Sequence, residues 1–174
     1  MREGTGEATV AVAPDVAFAY LADPRHAQEW FAGARLAVPP EGAPHAGITW
    51  RFVQARSGRV VPVRMAIYEP SSRFVWRTTF RWPRTNLRWE MRCEPDSGDA
   101  AHVTRLRMTI GIEPGPVGWL GLYLSPRLYR PDPAMQAQRA VERACEALLE
   151  RATIPASERP PARNPSEKRG RRRR

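Results

Sequence analysis

The chain has 174 residues, of which 42% are hydrophobic and 26% are charged, a composition that excludes a wholly disordered protein. Its longest apolar stretch, Val117–Leu124, is too short for a transmembrane helix, which needs roughly 20 apolar residues. The formal net charge of +10 is compatible with a nucleic acid or an anionic membrane as partner, depending on where the charge lies.

The basic residues are concentrated at the C-terminus. Eight Arg and Lys residues and only two Glu residues follow Ala152, in a segment that is rich in Pro and poor in apolar residues. Because such a segment buries too little surface to offset its ordering entropy, residues 153–174 are predicted to be a disordered basic tail. This tail either solubilises the protein or makes weak, non-specific contacts with nucleic acid, the ribosome or an anionic membrane. The preceding residues 1–152 are predicted to form one domain.

The first quarter of the chain predicts one strand and two short helices. Valines alternate with alanines in Glu7–Ala13, which favours a strand. A proline is a favourable first residue for a helix, which is predicted over Pro14–Ala22. An Asp-Pro pair at 23–24 predicts the start of a second helix that runs to Phe31 and is followed by Gly33. A loop rich in Pro and Gly is predicted over Val38–Gly47.

Five segments between residues 48 and 113 alternate apolar and polar residues, which predicts an antiparallel sheet wetted on one face. Turn residues separate the segments, among them Pro83 and Asn86. Arginines fill most outer positions and Glu90 and Glu94 interleave with them, so exposed cross-strand charge pairs are predicted, with an anion-binding patch as the alternative. The side chains predicted for the inner face are Ile48, Trp50, Phe52, Val63, Met65, Ile67, Phe74, Trp76, Thr78, Phe80, Trp82, Leu87, Trp89, Met91, Cys93, Leu106, Met108, Ile110 and Ile112.

After residue 113 the apolar period changes to that of a helix. One helical segment is predicted near Val117–Tyr129 and another over Ala134–Ala152, because Pro131 and Pro133 forbid one unbroken helix. This amphipathic element is the only one large enough to cover the apolar face of the sheet. The elements together predict an α+β fold.

The order of these elements and several short motifs resemble a known family. The motifs are Ala13–Pro24 with Trp30, Gly47–Trp50, Tyr68–Pro70 with Arg73–Trp76, the strand that holds Thr104, and the long final helix. From about residue 5 to residue 152 the chain is similar to the SRPBCC superfamily, the START-like family of polyketide cyclases/dehydrases and lipid-transport proteins. The resemblance implies a helix-grip (START/Bet v 1-like) fold: a curved antiparallel sheet of six to seven strands, two short helices after strand 1, and a long C-terminal helix packed across the sheet.

The resemblance also implies a function. Family members bind varied hydrophobic small molecules between the sheet and the long helix, and some of them catalyse cyclisation or dehydration. They share no catalytic residues, so none is assigned here. For this chain a polyketide-like or lipid-like ligand is predicted, with a non-catalytic interaction protein that docks through its basic tail as the alternative.

A set of side chains is predicted to line the ligand cavity because these residues would project towards it from the sheet and the second helix. They are Trp30, Trp50, Phe52, Trp76, Thr78, Phe80, Trp89 and Met91. Flat tryptophan rings suit aromatic or polycyclic ligands, and a buried indole N–H needs a hydrogen-bond partner. Ordinary core packing is the alternative for each of them. Thr78 and Cys93 are the polar groups of this face, either orienting a ligand carbonyl or packing as interior side chains.

Metal and redox chemistry is not predicted. His26, His45 and His102 show no ligand spacing, and Cys93 and Cys145 form no C-x-x-C pair, so no cofactor is expected. The N-terminal residues contain no apolar secretory segment. We therefore expect a cytoplasmic protein with two reduced thiols.

Overall fold

An open sheet of seven antiparallel strands forms the centre of the protein in a computed structural model, which describes residues 2–31, 34–54, 58–81, 84–96, 102–115 and 132–153. Their order across the sheet is β1-β7-β6-β5-β4-β3-β2. The strands are β1 (Arg2–Val10), β2 (Ala34–Val38), β3 (Thr49–Gln54), β4 (Val60–Glu69), β5 (Arg73–Arg81), β6 (Arg84–Pro95) and β7 (Thr104–Pro114). The helices are α1 (Pro14–Ala22) and α2 (Ala27–Trp30), which follow β1, and α3 (Pro133–Thr153). The predicted helical segment Val117–Tyr129 and the tail after Thr153 lie outside the described residues.

The order of elements confirms the predicted helix-grip architecture. Each strand presents its alternate apolar side chains to one face, which is buried, while the other face carries most of the charged side chains. The strand β2 is not predicted by the sequence pattern, and it adds the edge strand beside β3. The sheet therefore has the seven strands that form the upper limit of the prediction.

Three local predictions about the strands were wrong. The first strand was predicted over Glu7–Ala13, but β1 spans Arg2–Val10. A bulge interrupts β4 just before Ile67, so the residues after it change sides. Tyr68 rather than Ile67 reaches the core, where its ring lies 5.3 Å from the ring of Phe18. Asn86 does not form part of a turn, because it pairs with Thr79 inside the β5–β6 ladder.

The two short helices begin differently from one another. α1 begins at Pro14 and ends at Ala22, as predicted. α2 is shorter than predicted, because Asp23 does not cap it. The Asp23 carboxylate instead accepts hydrogen bonds from the backbone N–H and the guanidinium group of Arg25, at 2.6–2.9 Å. The chain therefore turns through residues 23–26 before α2 starts at Ala27.

The long helix α3 begins at Pro133, so the predicted helix over Ala134–Ala152 is confirmed and the proline lies at its start. α3 packs on β1 and β7, and its backbone touches β1 directly. A Cβ atom added to Gly4 would lie 2.0 Å from the backbone nitrogen of Ala134, and one added to Gly6 would lie 2.3 Å from that of Gln138. Only glycine permits this approach, which fixes the helix at the β1 side of the sheet.

The outer face of the sheet differs from the prediction at Glu90. This carboxylate is not exposed: the residue is only 5% exposed and lies among Arg73, Arg88 and Arg92. Burial alone would raise its pKa, but the hydrogen bond from Arg92 and the charges of the three arginines outweigh burial and hold the pKa below its ordinary value. Glu94 is exposed, as predicted.

Candidate functional site

Aromatic rings from one helix and two strands meet on the inner face of the sheet. The Trp76 ring lies at their centre, with its centroid 5.4 Å from that of Trp30, 5.1 Å from that of Trp50 and 6.3 Å from that of Phe52. Trp30 comes from α2, Trp50 and Phe52 from β3, and Trp76 from β5. We call these four residues the aromatic cluster. All four were predicted as site residues, and the fold brings them together.

The indole N–H groups of this cluster have no acceptor. The Nε1 atoms of Trp30, Trp50 and Trp76 are buried, and none of them has a hydrogen-bond partner in the described structure. The three residues are 1%, 2% and 1% exposed, so bulk water does not satisfy these donors. An unsatisfied buried donor costs about 1–3 kcal/mol, and native proteins contain few of them. Three such donors in one cluster are therefore unusual and call for an explanation.

The other predicted site residues lie along β5 and β6. Phe80 and Trp89 are half-buried, and Met91 is buried. The Trp89 ring meets the edge of Phe31 at 5.4 Å, beside the aromatic cluster. The Thr78 hydroxyl donates a hydrogen bond to the Pro62 carbonyl at 2.5 Å, so its proton is already committed. That these side chains line a ligand cavity stays a prediction.

The thiols offer no nucleophile at neutral pH. Cys93 is buried, and burial, with a smaller effect from Glu94, raises the pKa of its thiol to about 12. Cys145 on α3 is half-buried, and burial raises its pKa as well. Both cysteines are free, so the chain holds no internal disulfide.

A second polar network joins the ends of the three helices, and the sequence pattern does not predict it. The Tyr20 hydroxyl and the His26 ring both hydrogen-bond to the Glu29 carboxylate, His26 Nδ1 at 3.1 Å. The Tyr20 ring stacks on His26 at 4.5 Å, and the Arg151 guanidinium lies over the Tyr20 ring at 5.0 Å. A depression of about 390 Å³ between α1 and the end of α3 adjoins Tyr20, His26 and Arg151. The network ties α1 and α2 to the last turn of α3.

Burial and hydrogen bonds in this network shift the pKa values of two groups in opposite directions. Burial and the hydrogen bond to Glu29 raise the pKa of Tyr20, so its hydroxyl remains protonated. The hydrogen bond from His26 holds the pKa of Glu29 below its ordinary value, despite partial burial.

No group of three or more potential metal ligands occurs in the described residues. Within the same ranges no helix combines the length and the hydropathy that crossing a bilayer requires.

The antiparallel sheet, the two short helices after its first strand and the long helix that packs on it define a helix-grip protein. The chain belongs to the polyketide cyclase/dehydrase and lipid transport family, whose sequence profile matches residues 1–153. This match confirms the family resemblance that the sequence motifs indicate. It spans every residue that the structure describes.

Several solved structures share the fold at low sequence identity. The Zhui aromatase/cyclase from a Streptomyces species matches with a TM-score of 0.68 and 16% identity, covering 90% of this chain and 98% of that one. Truncated norcoclaurine synthase from Thalictrum flavum matches with a TM-score of 0.61 and 11% identity, covering 86% and 94%. A hypothetical protein from Helicobacter pylori matches with a TM-score of 0.61 and 11% identity, covering 84% and 87%. No curated protein sequence matches the chain.

Proposed function

We propose that the protein binds a small hydrophobic ligand against the inner face of the sheet, in contact with the aromatic cluster. The observation that carries this proposal is the set of three buried indole N–H groups without acceptors. Rings packed at 5–6 Å give such a ligand an apolar surface, and the family is one of cyclases, dehydrases and lipid-transport proteins.

The same donors favour one kind of hydrophobic ligand. A saturated lipid chain has no acceptor atoms and would leave the indole N–H groups of Trp30, Trp50 and Trp76 unsatisfied. A flat molecule that carries carbonyl or phenol oxygens would stack on the rings and accept these hydrogen bonds. A polyketide-like ligand therefore fits the cluster better than a lipid-like one.

Any cyclisation or dehydration at this site would depend on positioning. The aromatic cluster supplies donors and apolar walls but no ionisable side chain, and the Cys93 thiol is protonated at neutral pH. Such a site acts by holding a reactive chain in one fold and excluding water. We assign no catalytic residue.

The test uses two probes of matched shape, anthraquinone and anthracene, which differ by two carbonyl oxygens. Native mass spectrometry and fluorescence titration of the full chain should show saturable binding, with anthraquinone preferred roughly tenfold because it satisfies indole donors. Trp50→Phe should reduce that preference, whereas the control Tyr68→Phe, which removes a hydroxyl from the same face, should keep it. Failure of both probes to bind saturably would overturn the proposed function. Equal affinity for the two would overturn the acceptor-bearing ligand alone.

The remaining proposals concern the chain as a whole. We expect residues 1–152 to bind the ligand without the basic tail. We also propose a cytoplasmic location for the protein, which its two free thiols support. The alternative function, docking of nucleic acid or an anionic membrane through the tail, rests on residues outside the described ranges. Removal of residues 154–174 should leave probe binding unchanged; loss of probe binding would contradict this division into domain and tail.

A further inference from the structure

Arginines stand in rows across the outer face of the sheet, and one of these rows is neutralised. In it Arg73, Arg92 and Arg107 lie directly opposite one another on β5, β6 and β7, with Glu69 on β4 and Glu7 on β1 at the two ends. Arg73 contacts Glu69 at 2.5 Å, and Arg107 contacts Glu7 at 2.6 Å. Arg92 contacts Glu90 at 2.9 Å. Each arginine of this row therefore has a carboxylate.

The next full row of arginines is built differently, and we call it the open row. Arg64, Arg77 and Arg88 lie directly opposite one another on β4, β5 and β6. Arg64 and Arg77 are exposed and form no ion pair with any described residue. Arg88 shares Glu90 with two other arginines. Its Nε–H is buried without an acceptor, as is that of Arg73 in the neutralised row. The three cations of the open row thus have one carboxylate among them, Glu90, and two arginines of the neutralised row contact the same carboxylate.

Stability does not account for the open row. Like charges directly opposite each other on neighbouring strands destabilise a sheet. The neutralised row shows that this face of the sheet accommodates carboxylates beside its arginines. A carboxylate next to Arg77 would therefore be compatible with the fold. The next residue of the open row is Gly111, which has no side chain, and the first acid beyond it is Glu3 on β1.

A depression of about 350 Å³ lies where the open row meets this glycine, within the size range of small-molecule sites. Its polar walls include Arg77, Arg88 and Asn86. The Asn86 carbonyl oxygen accepts a hydrogen bond from the Thr79 hydroxyl, so its amide N–H groups remain as donors. One carboxylate, the exposed Glu113, lies on the wall beside Asn86. The depression therefore combines two guanidinium groups and an amide on one side with a single acid on the other.

We infer that this depression binds the phosphoryl group of a small phosphorylated molecule, with Arg77 and Arg88 as its ligands and Arg64 as a nearby balancing charge. The planar guanidinium group matches phosphate oxygens in pairs, and a tetrahedral dianion accepts from several donors at once. Such a ligand offsets the charge repulsion within the open row and gives the Arg88 Nε–H an acceptor. This site lies on the face opposite to the aromatic cluster and does not depend on the proposed ligand there.

The experiment is a titration of the isotope-labelled full chain with sodium pyrophosphate, followed by two-dimensional NMR, with acetate at equal ionic strength as the monoanion control. Saturable shifts are expected for the amides of Arg77, Arg88 and Gly111, and acetate should not produce them. The residue-resolved signal separates this site from the basic tail. Shifts confined to residues 154–174, or equal responses to acetate and pyrophosphate, would overturn the inference.

Matched variants give a second readout. Arg77→Gln should weaken pyrophosphate binding roughly tenfold, since a hydrogen bond to a charged group is lost. Arg107→Gln, in the neutralised row, should change the affinity less than about twofold. Glu113→Gln should tighten binding, and Arg77→Gln should raise the melting temperature or leave it unchanged because repulsion is relieved. Equal weakening by the two arginine variants would contradict the site. So would displacement of pyrophosphate by a single-stranded oligonucleotide at a far lower phosphate concentration.

Discussion

The two faces of the sheet carry side chains that lack a partner within the described chain, in opposite surroundings. On the inner face the indole N–H of Trp76 is buried among rings, whereas the next residue, Arg77, is exposed on the outer face without a carboxylate. One step along β5 therefore leads from apolar to charged surroundings. An unsatisfied donor inside points to a neutral acceptor, while an unbalanced row of cations outside points to an anion.

The largest loss of stability should follow from a substitution at the centre of the aromatic cluster on the inner face. Trp76→Ala removes the ring that Trp30, Trp50 and Phe52 contact, and the loss of unfolding free energy should be about 3–5 kcal/mol. Urea denaturation measures this loss. The half-buried Trp89, replaced by alanine, should cost less. Should Trp76→Ala weaken anthraquinone binding while stability stays near that of the parent chain, the ring lines a cavity instead of packing the core.

Displacing the helix from the inner face should have the next largest effect. Gly6→Val places side-chain atoms where the backbone of Gln138 lies, so α3 must move or β1 must bend, at about 3 kcal/mol of stability. Thermal unfolding should detect the change. Thr5→Val, one residue away on the exposed side of β1, provides the control and should alter the melting temperature little. Equal effects of the two variants would argue against the close contact.

A smaller effect should follow from removing the central carboxylate of the outer face. Glu90→Gln leaves Arg73, Arg88 and Arg92 without their shared counter-charge, which should cost about 2 kcal/mol of unfolding free energy. Glu94→Gln, at an exposed position on the same strand, should cost less than about 0.5 kcal/mol. Denaturant midpoints compare the two. Indistinguishable midpoints would show that the buried carboxylate stabilises the protein no more than the exposed one does.

The smallest effect should be a dependence of stability on pH. The pKa values of Glu29 and Glu90 in the folded chain lie below their ordinary value of 4.5, so their contribution is complete above that pH. It should be lost as the pH falls through the lowered values in the folded state. Glu29→Gln should make the urea midpoint less sensitive to pH below about 4.5. An increase in stability on acidification would contradict the lowered pKa values of Glu29 and Glu90.

Sequence alternation was sufficient to place most strands and the residues of the inner face. It identified Trp50, Phe52 and Trp76 because a period of two is a local property of the chain. It failed at Ile67, since a bulge inserts a residue without changing the composition of the strand. It also failed at Glu90, which is flanked by arginines whether it is exposed or buried.

Non-local features lay beyond the sequence pattern. Tyr20, Glu29 and Arg151 meet only because α3 returns to the first two helices, and no spacing along the chain encodes that meeting. The missing acceptors of the indole N–H groups are likewise visible only once every neighbour is placed. The family resemblance supplied the architecture but gave no information about these contacts.

The contact of Gly4 and Gly6 with α3 has a consequence for how the protein is made. Their partners Ala134 and Gln138 are synthesised about 130 residues after them. The surface of β1 that α3 contacts therefore remains uncovered through most of translation. β1 can complete its contacts only after both β7 and α3 have been synthesised. Contacts of such long sequence separation slow folding, so we expect docking of the last helix to be a late event that closes the domain.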